Sequence, residues 1–159
     1  MRSPALGNPP RRPISTKVSG PFLPDGEGSA VIGRELFEYN CQVCHNMPGE
    51  TDRVKDEIGK LFGVDDKRSR TNLQQTIGSY WPYPTTVFDY VRRAMPLLAP
   101  MSLSNSDYYA LTAYLLYENG VIAEDDIMNK NTLPKVQMPN KDGFINAYPE
   151  VPEKYKSKP

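Results

Sequence analysis

The sequence predicts an all-α domain of short helices set between two long irregular arms. Three observations carry this. Two stretches, residues 30–39 and 104–118, space their apolar residues with a helical period. Prolines crowd the ends, with six of the 16 in residues 1–24 and five in residues 134–159. That is a composition that breaks regular structure. The two cysteines and the single histidine form one cluster, Cys41-Gln42-Val43-Cys44-His45, inside the proline-poor middle. The expected organisation is a Pro-rich basic arm over 1–25, a folded domain over 26–120 and an extended arm over 121–159. At 159 residues the chain suits one domain with one core.

Composition excludes several classes of function. Nineteen Lys and Arg balance nineteen Asp and Glu, so no net charge favours nucleic acid or an anionic surface. No window approaches the roughly 18 consecutive apolar residues of a membrane span. Residues 1–20 also lack the apolar run of a secretory signal, so export would mean that the printed chain is a processed form.

The first helix is expected from Ala30 to Tyr39, with Ser29 as N-cap and an apolar face at Ile32, Gly33, Leu36 and Phe37. Gly33, four residues before Phe37, permits a second helix to cross closely. That second helix is Ser104 to Glu118. Ser104 with Asp107 forms a capping-box start, Leu111, Tyr114 and Leu115 give a buried stripe, and Asn119-Gly120 provides the stop. Between them, a short helix over 87–94 is expected to be capped by Thr85-Thr86. Pro96 then pushes Met95 into extended backbone.

The Cys41-x-x-Cys44-His45 pattern is that of covalent c-type haem attachment. Each thiol adds to one haem vinyl group, the two-residue gap sets the sulfurs at the required separation, and the next residue offers its imidazole to the iron. Other uses of these residues fit less well. A structural zinc site wants four ligands, and only three Cys and His residues exist. A thioredoxin-like motif wants a βαβ setting that the pattern lacks. A disulfide would leave the adjacent sole histidine unexplained. Haem also supplies an apolar plate for a chain with only 38% hydrophobic residues.

The opposite iron ligand is sought among Met1, Met47, Met95, Met101, Met128 and Met138. Met1 lies in the arm, and Met47 is too close to His45 to reach round the ring. Met95 ranks first, at a helix exit rigidified by proline. Met138, in a second Met-Pro dipeptide, is the alternative, and Met101 ranks third with core packing as its commoner role. Tyr80, Trp81, Tyr83, Arg92 and Arg93 cluster near the expected distal loop as candidate donors to the haem propionates, with Trp81 foremost. The competing assignment buries the aromatic rings in the core and leaves the arginines solvated at a helix C-terminus. His45 is expected to donate its second ring N–H to a backbone carbonyl.

The two-helix crossing resembles that of class I cytochromes c. The run from Ile77 through Tyr80-Trp81-Pro82-Tyr83 to Arg92-Arg93-Ala94-Met95-Pro96 narrows the resemblance, as do Leu111 to Tyr117 and the segment Thr132 to Phe144. Together they resemble the monohaem cytochrome c subunit of bacterial molybdenum-dependent sulfite or sulfur dehydrogenases, over about residues 26–145. The resemblance implies a class I cytochrome c fold, one haem c with His/Met ligation, and a periplasmic location. It also implies a molybdopterin-containing partner and a downstream cytochrome c or other acceptor. Many class I cytochromes follow an Ile-Gly pair with proline, whose carbonyl holds the histidine. Here Ile58-Gly59 precedes Lys60, which leaves Pro48 as a substitute. A saturated iron makes the chain an electron-transfer subunit and not an enzyme in isolation. A free-standing diffusible cytochrome c is the alternative, and a ligand-binding haem sensor or peroxidase would need an open distal face. Residues 132–145 of the C-terminal arm, with Leu133, Val136, Met138 and Phe144, are expected to dock on the body or on a partner. Residues 1–24, with four cationic residues and no acid, are expected to be disordered or to drape over a partner, and the last ten residues to be a flexible tail.

Overall fold

The computed structural model describes residues 23–63 and 75–144. The expectations for residues 1–22, for 64–74 and for 145–159 lie outside them. Five helices and one two-stranded ribbon make up the described residues. In chain order these are β1 (Glu27–Gly28), α1 (Ala30–Asn40), α2 (Arg53–Ile58), α3 (Ile77–Tyr80), α4 (Pro84–Ala94), α5 (Asn105–Glu118) and β2 (Met128–Asn129). A 3-10 turn at Leu133–Lys135 follows.

Helix α5 is the spine. Its start is the expected capping box, in which the Ser104 hydroxyl accepts from the Asp107 N–H and the Asp107 carboxylate accepts from the Ser104 N–H. Every residue from Tyr108 to Leu116 is buried. The helix is therefore apolar on all sides and enclosed, more than the single stripe that its spacing suggests. The close crossing with α1 takes the expected form. A Cβ added at Gly33 would lie 2.0 Å from the Ala110 carbonyl oxygen, and one at Gly28 would lie 2.4 Å from the Ala110 nitrogen. Only glycine allows α1 and β1 to sit this close to α5. Phe37, Phe62 and Tyr114 close the crossing with ring centroids 5.4–5.9 Å apart.

Three local expectations are corrected. Ile32 is 53% exposed, and the buried face of α1 is Ala30, Gly33 and Phe37. Ser29 is the N-cap of α1 by position, but its side chain makes no capping hydrogen bond. Helix α4 begins at Pro84 with Tyr83 as N-cap, so Thr85 and Thr86 lie inside its first turn and not before it. Proline at the first helical position lacks only an N–H that would go unpaired there.

Beyond α5 the chain returns to the body. β2 pairs antiparallel with β1, Glu27 opposite Asn129 and Gly28 opposite Met128. Met128, Leu133 and Met138 enter the same core as Phe37, Phe88 and Leu116. Phe144 packs edge-on against Tyr80 with centroids 5.3 Å apart, and the Asn140 side-chain amide donates to the Tyr80 carbonyl. Docking of the described part of the 132–145 segment is thus onto this chain itself.

Candidate haem site

Helix α1 delivers the cysteine cluster. Its C-cap is Cys41, whose N–H bonds the Phe37 carbonyl at 2.8 Å. The backbone then folds into one tight turn, with the Cys44 and His45 N–H groups both reaching the Cys41 carbonyl at 3.0 and 2.9 Å. Both thiols and the imidazole are thereby gathered on one turn. Both cysteines are free. Burial, with a smaller push from Cys44, raises the Cys41 thiol to about 11 and keeps it protonated at neutral pH.

His45 is half-buried, and its Nδ1 lies 3.4 Å from the Gly59 carbonyl oxygen. This is the expected backbone acceptor, supplied by Gly59 itself, with no part taken by Pro48. Desolvation lowers the His45 pKa, opposed by the Gly59 contact, so at neutral pH the ring is uncharged. With Nδ1–H given to Gly59, Nε2 keeps its lone pair for a metal. The loop between them is braced locally. The Asn46 amide donates to the Asp52 carbonyl and the Asp56 carboxylate, and Asp52 caps α2 by accepting from the Val54 and Lys55 N–H groups. Helix α2 ends at Gly59 with φ +152, a conformation that favours glycine.

On the other flank, α4 ends at Met95 with φ −125 and ψ 150, the extended backbone expected before Pro96. The Tyr108 hydroxyl, buried on α5, donates to the Met95 carbonyl at 3.4 Å and accepts the Leu103 N–H at 3.3 Å. It ties both ends of the loop that follows α4. Met95 is half-buried. Met138 is 3% exposed in the packed core, and Met47 packs at the core's edge. Met101, at φ +61, is exposed and takes no core position.

The other candidates scatter more. Trp81 is half-buried against Tyr90, with ring centroids 5.6 Å apart. Tyr80 meets Phe144, and Tyr83 occupies the start of α4. Arg92 directs its Nε to the Asn105 side chain at 3.1 Å, while the exposed Arg93 pairs with Asp89 one turn earlier at 2.9 Å. Sequence spacing marks neither Tyr108 as a hydrogen-bonding residue nor Asn119 as anything beyond a helix stop. Asn119 is 1% exposed, and its amide bonds Leu61, Gly63, Gly78 and Leu115.

Two unpaired thiols and a neutral imidazole with one free nitrogen, all on one turn beside an apolar core, fit covalent haem c in donor chemistry. The cytochrome c family model matches residues 30–118, which span α1 to α5. No curated protein matches the chain. Among solved structures, the sulfane dehydrogenase SoxCD from Paracoccus pantotrophus matches with a TM-score of 0.72 and 38% sequence identity, over 83% of this chain. The present chain spans 62% of that chain's length. The cysteine turn, the enclosed α5, the α1–α5 crossing and the family match lead to one conclusion: this chain belongs to the cytochrome c family and carries covalent haem c.

Proposed function

We propose that this chain is the monohaem electron-transfer subunit of a molybdenum-dependent sulfite or sulfur dehydrogenase, working in the periplasm. It takes electrons singly from the molybdopterin subunit and passes them to a downstream cytochrome c or other acceptor. The observation that carries the reading is the 38% identity to a sulfane dehydrogenase chain over 83% of this one. That likeness takes in the segment after α5 as well as the haem-binding helices.

Bound haem c supplies a one-electron couple at its iron. The residues of the chain hold that couple in place. Cys41 and Cys44 would anchor it through thioethers, and His45 would bind the iron through Nε2 while Gly59 orients the ring. Met95 would supply a thioether ligand, with Met138 as the alternative. Thioether ligation favours the reduced iron and suits an acceptor of substrate-derived electrons. Tyr80, Trp81 and Arg92, on or beside α3 and α4, are the proposed contacts of the haem edge and propionates. An iron held by both His45 and a methionine would offer substrate no open site, so the chain would move electrons and leave bond chemistry to its partner.

The test is reduction of the purified holoprotein by sulfite or a sulfane compound. The expected result is no reduction by either compound alone and rapid reduction when the molybdenum subunit is added. Equal reduction with and without that subunit contradicts the proposal. Reduction only by an unrelated dehydrogenase favours a free-standing carrier.

A further inference from the structure

The buried amide of Asn119 uses all of its hydrogen-bonding capacity. Its Oδ1 accepts from the Gly63 N–H at 3.2 Å and the Gly78 N–H at 3.1 Å. Its Nδ2 donates to the carbonyls of Leu61 at 3.1 Å and Leu115 at 2.7 Å. Two lone pairs and two N–H groups are thus matched to two donors and two acceptors, so the amide has one satisfactory orientation. The fit is tight, since a Cβ on Gly78 would lie 2.8 Å from Oδ1 and 2.9 Å from the Asn119 Cβ.

These bonds join three parts of the chain: the end of α5, the first turn of α3, and residues 61–63. The last of these begins two residues after Gly59, whose carbonyl faces His45 Nδ1. Residues 61–63 are also held by the Ile77 N–H on the Leu61 carbonyl and by the Thr76 hydroxyl on the Gly63 carbonyl. The Asn119 amide grips both ends of that stretch with a single side chain, bonding the Leu61 carbonyl and the Gly63 N–H. At 3.4 Å the His45–Gly59 contact sits at the long limit of a hydrogen bond, where a small displacement of Gly59 abolishes it.

We infer that Asn119 is a positioning residue for His45, clamping residues 61–63 so that the Gly59 carbonyl stays against the ring N–H and sets the strength of the iron–imidazole bond. This rests on His45 as the axial ligand in the proposed function. A stronger Nδ1–H bond makes the imidazole a more basic ligand and favours oxidised iron. Releasing the clamp therefore raises the reduction potential.

The experiment uses the full-length holoprotein. Asn119→Asp keeps the acceptor but sets an oxygen against the Leu61 and Leu115 carbonyls, and Asn119→Ala removes all four bonds. Thr112→Val is the control, since it deletes a buried α5 hydroxyl whose hydrogen bond, at 2.7 Å, goes to the Tyr108 carbonyl within its own helix. Both Asn119 variants are expected to have a raised potential. In the reduced protein, nuclear magnetic resonance should find the His45 Nδ1–H exchanging with solvent several-fold faster. Thr112→Val should keep wild-type values of both while losing thermal stability. If Asn119→Ala does not accumulate, Asn119→Asp and Gly78→Ala carry the test, the latter displacing the amide from the α3 side with the same expected shifts. Wild-type potential and ring exchange in these variants, or shifts no larger than those of Thr112→Val, overturn the inference. Failure of the proposed function is read separately, from wild-type protein in which His45 is not an iron ligand.

Discussion

Gly59 shows how a single backbone group governs the proximal side. Its φ of +152 and its place at the end of α2 direct its carbonyl toward His45 and hold Nδ1–H, leaving Nε2 available, while burial keeps the imidazole neutral against the opposing pull of that carbonyl. On the distal side, the extended backbone at Met95 and the Tyr108 bonds to either end of the following loop give the proposed thioether ligand a fixed approach. Met95→Ala should open the distal face, so that the reduced protein passes from no carbon monoxide binding to stoichiometric binding, while the oxidised protein loses its sulfur-to-iron charge-transfer absorption. Met138→Ala should remain closed to carbon monoxide and lose thermal stability, as expected of a methionine only 3% exposed. The opposite pattern, with Met138→Ala opening the iron, exchanges the roles of the two. The cysteine turn and the Met95-Pro96 exit are legible in the sequence because each depends on covalent chemistry or on proline sterics within a few residues. The Gly59, Tyr108 and Asn119 contacts are not. They join positions 14, 13 and up to 58 residues apart, and their side chains carry no periodic signal.

Among the elements, the α1–α5 crossing is the most extensive contact. Gly33 and Gly28 both face Ala110, and neither position tolerates a side chain without moving a helix backbone. Gly33→Ala should therefore destabilise the holoprotein by about 1–3 kcal/mol through overpacking, measured by thermal or denaturant unfolding. An unchanged midpoint would mean that the helices are not in this contact. The crossing was open to sequence reasoning because one glycine on a helical face has a direct steric meaning. The exposure of Ile32 was not, since the face of α1 that is buried depends on where α5 lies. The start of α4 illustrates a different limit. Two threonines resemble a cap, yet Pro84 at the first helical position shifts the boundary upstream and places them within the helix.

At the scale of the whole molecule, the described segment after α5, residues 119–144, is part of the body. Leu133 is fully buried and Met128 and Met138 nearly so, while the β1–β2 pairing joins residues 27–28 to 128–129. Leu133→Ala should cost about 2–5 kcal/mol, the loss expected at a core leucine, in the unfolding of the whole domain. A cost near zero would mean that this segment packs elsewhere in solution. Proline content alone suggests an irregular arm, yet its described part holds β2 and a 3-10 turn. What composition cannot convey is that a few apolar residues spaced along it each find a place in a core built by distant helices. The account depends above all on haem held by Cys41 and Cys44, and the mass of the denatured protein tests this most directly. Maturation in a host that attaches haem c should give the mass of the polypeptide plus one haem that withstands acid-acetone extraction, whereas the mass of the bare polypeptide would contradict the account.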